Sequence, residues 1–249
     1  MKQGQFISTS RKGKELRKDA ELLARWLQLP YCPPESIPPT ASALQLTRRG
    51  WALRRPGRAP QRWHPGLLKY RLSPDRLARE PLLRALELGG GTASEVELLD
   101  GTLGFGYDAL LCAAVGVKVS ALECDPLTLA YSAYGLLHYA PALARRISYR
   151  RADHQRHLQE LPAGAYSHVY LDPMFPAGGH GGTNLALLRG HGAGERLSQP
   201  LLREMLRVAR VAAIFKLAPG EEPLPAPGEE IELQVLISKR QRIACWRWR

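Results

Sequence analysis

The residues best placed to do chemistry begin at Asp100-Gly101-Thr102-Leu103-Gly104-Phe105-Gly106-Tyr107-Asp108. Glycines at Gly101, Gly104 and Gly106 clear side chains from a turn, so a ligand can approach the backbone closely. The usual GxGxxG fingerprint of dinucleotide sites is absent. An acid at Asp100 is also unhelpful to pyrophosphate, which favours backbone amides with no negative charge beside them. A carboxylate there suits the cationic amino group of a methionine-type ligand such as S-adenosylmethionine. An ordinary strand-to-helix turn is the competing reading. Just upstream, the run Leu86-Glu87-Leu88-Gly89-Gly90-Gly91 imitates a cofactor loop. Only Thr92 to Glu95 separate it from the next strand, which leaves no room for a following helix. It reads as a linker in which glycine ends the preceding helix.

Glu123 follows Gly106 by 17 residues, at the end of an apolar strand. Its paired acceptor oxygens can take both hydroxyls of a ribose. Nicotinamide enzymes use the same device, so Glu123 indicates an adenosine ligand without choosing the cofactor. Asp153, in Ala152-Asp153-His154, can accept from an adenine amino group, although acids are common in loops. Asp172-Pro173-Met174-Phe175-Pro176 then follows the strand Val169-Tyr170-Leu171. An [Asp/Asn]-Pro-Pro-[Tyr/Phe] tetrad in this place marks methyltransferases that act on planar exocyclic amines, and here Met174 replaces the second proline. The proline turn presents the Asp172 side chain and a backbone carbonyl as acceptors in the plane of the amine, and Phe175 can stack on the ring. Two such acceptors hold the nitrogen lone pair toward an incoming methyl group. The competing reading is a strand-ending turn at Pro173 with Phe175 in the core.

The elements around these motifs alternate. Expected strands are Val96–Asp100, Val117–Glu123, Ile147–Arg151, His168–Leu171 and Val211–Leu217; expected helices are Tyr107–Val115, Pro126–His138 and one carrying Leu201, Leu202, Met205 and Leu206. Such alternation implies a parallel sheet with crossovers on both faces. Two further runs, Glu232–Ile237 and Arg242–Trp248, are close enough to form an antiparallel hairpin. That ending is the mark of a Rossmann-like class I methyltransferase sheet, whereas a dinucleotide dehydrogenase finishes with a parallel strand. Before this part lie an amphipathic helix over Gly13–Leu29, short strands near Ala43–Leu46 and Gly50–Arg54, and a helix over Pro74–Leu86 that Ser73 can cap. The α/β fold therefore carries a small basic N-terminal α+β part. The expected division is 1–85, binding RNA, and 86–249, the methyltransferase domain.

Charge supports that division. The 249 residues carry 35 Lys and Arg against 23 Asp and Glu. Residues 1–85 hold 18 basic and 6 acidic residues, a surplus of 12, and the remaining 17 basic and 17 acidic residues cancel. A basic module beside a neutral one fits a polyanion on the first and chemistry on the second, although coding bias toward arginine is an alternative source. No apolar run reaches the ~18–20 residues that span a bilayer, and no apolar stretch follows the basic start, so neither membrane nor secretion is expected. The cysteines Cys32, Cys112, Cys124 and Cys245 form no CxxC pair, which fits a reducing cytoplasm. No metal site is expected from His154, His157, His180 and His191, which lack partners at ligand spacing. Trp246 and Trp248, alternating with Arg247 and Arg249, read as an edge strand with one buried side.

The order Asp-x-Thr-x-Gly-x-Gly-x-Asp, Leu-Glu-x-x-Pro (Leu122, Glu123, Pro126) and Asp-Pro-Met-Phe-Pro resembles the bacterial methyltransferases that make N2-methylguanosine in small-subunit ribosomal RNA, with their uncharacterised relatives. The resemblance covers about Asp100 to the C-terminus. It implies that Tyr107, Asp108, Glu123, Cys124, Asp153, His154 and Asp172 line an S-adenosylmethionine site and that Lys216 meets RNA phosphate. Thr9-Ser10-Arg11-Lys12 and the segment Trp63 to Leu72, with His64, Lys69 and Arg71, look like the uncharacterised relatives; these three are the expected N-terminal RNA contacts. The implied activity is S-adenosylmethionine-dependent methylation of an exocyclic base amine in RNA, guanine N2 first. Transfer is direct, since no cysteine sits in the Asp172 turn. Alternatives are methylation of DNA, a free nucleotide or a small amine, an RNA-binding protein without catalysis, and a nicotinamide-dependent oxidoreductase.

Overall fold

The computed structural model describes residues 4–10, 12–87, 93–173, 196–238 and 241–249. Its first third builds a small sheet from β1 (Gln5–Thr9), β2 (Ser42–Thr47), β3 (Gly50–Arg54) and β4 (Gln61–Arg62), in that order. β1 and β2 run parallel, joined by α1 (Arg17–Leu27), and the other pairings are antiparallel. Gly50 closes the β2–β3 turn at φ 97°, a conformation open to glycine, and Thr47 Oγ1 donates to its carbonyl at 2.7 Å. α1 buries Ala20, Ala24 and Leu27 on this sheet and leaves Leu22 and Trp26 in solvent. It begins later than its apolar spacing predicts, after one 3-10 turn at Lys14–Leu16.

The expected helix over Pro74–Leu86 is two, following a short α2 (Leu68–Arg71): α3 (Pro74–Leu77) and α4 (Pro81–Ala85). Pro81 causes the break. It offers no N–H to a continuing helix and forces Glu80 into extended backbone, at φ −66° and ψ 122°. Ser73 stands before α3 without capping it; its hydroxyl donates to the Tyr70 carbonyl.

Among the described residues the second sheet has seven strands: β5 (Glu97–Asp100), β6 (Lys118–Glu123), β7 (Ile147–Arg151), β8 (Tyr166–Leu171), β9 (Ala209–Leu217), β10 (Ile231–Ile237) and β11 (Arg242–Trp248). Their spatial order is β10-β11-β9-β8-β5-β6-β7. β5 to β9 are parallel and β11 is antiparallel to both neighbours, so the doubly wound sheet ends in the expected hairpin. β11 is thus an interior strand and β10 the edge, which corrects the sequence expectation for Trp246 and Trp248. Trp246 is fully buried and its indole N–H donates to the Leu224 carbonyl.

Helices cover both faces: α5 (Tyr107–Ala114), α6 (Pro126–Tyr139), α7 (Pro141–Ala144), α8 (His154–Glu160) and α9 (Gln199–Val208). Alternate strand residues serve opposite faces. Leu98, Tyr170 and Ile214 join Leu110 on one side; Leu99, Val169 and Phe215 join Leu202 and Met205 on the other. The first of these clusters also takes Leu68, Leu82, Leu83 and Ala85 from before the expected 85/86 boundary. A third cluster joins the small sheet (Ile7, Leu44, Leu53) to Leu127 and Tyr131 of α6. Apolar packing is therefore continuous across the two halves of the sequence. A buried ion pair reinforces the seam: Arg55 donates to Asp125, their side chains 5% and 1% exposed. Asp125 also caps α6 at Thr128 N and accepts from Gln5 at 2.6 Å.

Candidate active site

From β5 the chain crosses to β6 and β7 on one side, then returns to β8 on the other. The crevice at the carboxyl ends of β5 and β8 is the switch point where open α/β sheets hold ligands. Asp100 and Asp172 stand at those ends, and Glu123 ends the neighbouring β6. The loop after β5 is tied down through its backbone. Gly101 N donates to the Tyr170 carbonyl at 2.9 Å, and Leu103 N to the Leu122 carbonyl at 2.8 Å. Asp100 Oδ1 accepts from Thr102 N at 3.0 Å, and Thr102 Oγ1 accepts from Asp172 N at 2.6 Å. One threonine thus joins the glycine loop to the Asp172 turn. Gly106 enters α5 at φ 75°, and a side chain at Gly101 would meet Leu171 and His154.

These residues enclose a cavity of about 270 Å³. Asp100, Gly101, Thr102, Gly104, Gly106, Tyr107, Asp108, Glu123, Cys124, His154, Asp172 and Pro173 line it, as expected from sequence. Asp153 does not; its side chain is exposed and accepts from Arg156 N at 3.0 Å, capping α8. Phe175 lies outside the described residues, as do Met174, His180, His191 and the glycine-rich run that follows the turn. Glu123 is aimed by two backbone donors, Asp125 N to Oε1 at 3.0 Å and Gly104 N to Oε2 at 3.2 Å. Oε1 also accepts from the Cys124 thiol at 3.6 Å, and Oε2 keeps a further acceptor site.

A charge network forms the cavity's inner wall. Arg71, an expected RNA contact, instead spans Glu80 and Asp108 at 2.9 and 2.8 Å and is only 18% exposed. Lys216, expected on phosphate, points inward to Asp172 at 2.5 Å and Asp108 at 3.7 Å. Tyr170 donates to the other side of Asp108 at 2.8 Å. Burial raises the Asp108 carboxyl, but Lys216, Arg71 and the Tyr170 hydroxyl more than offset this and hold it below the usual carboxylate range. Asp172 goes the other way: burial pushes it up and Lys216 only partly opposes. Burial, with acids rather than cations beside it among the described residues, drives Asp100 up to about 8 despite the Thr102 amide.

His64 and Lys69 are exposed. The His64 carbonyl accepts from the Tyr107 hydroxyl, so the segment after β4 packs against a residue that lines the cavity. Sequence reasoning did not find Tyr170 or the interior role of Arg71. Tyr170 left a signal, a hydroxyl inside an apolar strand that needs a buried partner. Arg71 left none, because its partner Asp108 is 37 residues away.

Residues 41–184 match the model of the family described as "Putative SAM-dependent methyltransferase". Ribosomal RNA small subunit methyltransferase J of Alkalilimnicola ehrlichii is 38% identical over 170 residues, 64% of this chain and 62% of the relative, so the alignment spans under two thirds of that protein. The uncharacterized protein YpiP of Bacillus subtilis is 29% identical over 85% of this chain and 88% of its own. A SAM-dependent methyltransferase from Neisseria gonorrhoeae superposes with a TM-score of 0.67 at 19% identity, over 97% of this chain and 94% of that one, and shares the fold. With a family match over residues 41–184, more than half of its length, the chain belongs to the S-adenosylmethionine-dependent methyltransferases.

Proposed function

We propose that the protein transfers the methyl group of S-adenosylmethionine to an exocyclic amine of a base in ribosomal RNA, guanine N2 being the favoured atom. The observation that carries this reading is Asp172. It stands between the end of β8 and Pro173, bonded through its own N–H to the loop that begins at Asp100, and shares one cavity with Glu123.

The donor set suits the cofactor. Asp100 is a buried carboxyl for the ammonium group, Glu123 offers paired acceptors to the ribose, and Gly101 and Gly104 line the cavity beside them. When bound, S-adenosylmethionine supplies a methyl group activated by a sulfonium. The chain's own residues do the rest. Lys216 occupies Asp172 Oδ2, which leaves Oδ1 and the backbone to accept from the substrate amine and hold its lone pair in line. Because burial raises Asp172, its carboxylate is a better proton acceptor than a surface aspartate, and it can take the proton that the amine loses on methylation. The ribosomal RNA substrate is supported by the family resemblance, by the name of the Alkalilimnicola relative, and by the basic surplus in residues 1–85.

The test is tritiated methyl transfer to undermethylated small-subunit RNA, followed by nucleoside analysis for N2-methylguanosine. Asp172→Ala should cut transfer by at least ~10²-fold while the protein stays folded. Full activity of that variant removes the turn from the chemistry, and label on another base moves the target.

A further inference from the structure

A second concavity, of about 780 Å³, lies beside the first, where β3 and β4 meet α6. Its size falls in the ~300–1,000 Å³ range of ligand clefts. Arg49, from the β2–β3 turn, and Arg62, from β4, are exposed along it; among the described residues no Asp or Glu lines it. Aromatic side chains, among them Trp51, Trp63, Tyr134 and His138, also line it. Tyr134 and His138 stack at 4.2 Å between centroids, with the Tyr134 hydroxyl 3.1 Å from the histidine ring. Trp63 lies on α6 at Gly135, where any side chain would displace the indole. Trp63 also donates to the Phe105 carbonyl at 3.2 Å and meets the Tyr107 ring edge-on at 5.6 Å. Phe105 and Tyr107 both line the cofactor cavity. Trp63 lines this hollow and, through Phe105 and Tyr107, touches the wall of the other.

The geometry points to this groove as the track for an unpaired RNA strand that flanks the base delivered to the cavity. The inference rests on the RNA reading above and adds the surface that reads the substrate. Its chemistry is that of single-strand binding: arginines for phosphates, flat rings for successive bases, and no acid to repel the backbone. Exposed arginines with no acid beside them among the described residues favour a polyanion over a protein partner.

The test uses the full-length protein and a fluorescein-labelled, unpaired, uridine-rich RNA of about 12 nucleotides, measured by anisotropy across a salt series. Replacing both arginines (Arg49→Ala with Arg62→Ala) should weaken binding by about tenfold or more. It should also lower the salt slope by about 1.4, since each single-strand phosphate contact contributes ~0.7. Tyr134→Ala should lose between about fivefold and a hundredfold, and Tyr134→Phe should bind like the parent, because stacking uses the ring and not the hydroxyl. S-adenosylmethionine affinity by calorimetry should be unchanged in all three, which controls for folding. Absent binding by the parent, parental affinity and slope in the arginine variant, or tighter binding of a duplex of the same sequence each overturns the proposal. So does a variant that binds RNA normally and loses only assembled ribosomal particles, which would assign the groove to a protein. Normal methyl transfer with unaffected variants sinks the groove alone; groove binding without methyl transfer to any RNA sinks the activity alone.

Discussion

At the scale of single residues, burial raises both carboxyls proposed to hold the cofactor, Asp100 and Glu123. Asp100 sits near 8 because burial, with Asp108, Asp172 and Glu123 nearby, disfavours its charge more than the Thr102 amide restores it. The cofactor's ammonium group needs the charged form. Below about pH 8 each binding event must therefore expel a proton, and affinity should fall about tenfold per pH unit until the bound form also protonates. Above that point affinity should level off. Calorimetry in buffers of different ionisation heat should register about one proton released at pH 7, and Asp100→Asn should abolish the dependence; a flat profile in the parent protein would place the ammonium elsewhere. Glu123→Ala should weaken the cofactor by roughly 1.5–3 kcal/mol for each ribose hydroxyl left without its charged acceptor. The same titration checks it.

At the scale of elements, much of this site was legible, and the misses share a cause. β5, β6 and β8 carry apolar runs that end in Asp100, Glu123 and Asp172, so the sequence order of strands and acids already placed the three at one edge. β3, β7 and β11 have the expected bounds. What escaped was held by partners distant in sequence. β1 is five residues whose pairing with β2 spans Gln5 to Ser42, and nothing local marks it. α8 buries only His157 and Leu158, too little for an apolar period to show. The loop after β5 yields the sharpest expectation at this scale. A methyl group at Gly101 must displace Leu171 or His154, so Gly101→Ala should cost stability, typically ~1–3 kcal/mol for overpacking, and weaken the cofactor together. Thermal melting and titration on the same sample test whether both change.

At the scale of the whole molecule, the +12 surplus of residues 1–85 is a property of surface, while the packing beneath it is shared. Deleting residues 1–85 should therefore leave a protein that does not fold, since α6 loses its cover and the main cluster loses Leu68, Leu82 and Leu83. A deletion product with a cooperative melt would show the opposite. Arg55→Ala should destabilise by about 3–5 kcal/mol, because it strands the Asp125 carboxylate without its charge partner. Chemical denaturation measures it, and a loss under ~1 kcal/mol would mean that the pair is dispensable. The seam also sets a schedule for biosynthesis. Ile7, Leu44 and Leu53 emerge from the ribosome first, yet the helix that covers them ends at Tyr139. Leu53 precedes Tyr131 by roughly 80 residues, so at ~5–20 residues per second this greasy face waits about 4–16 s for its cover. In that interval the uncovered face should be a target for chaperones, while only β5 and β6 of the large sheet have been made.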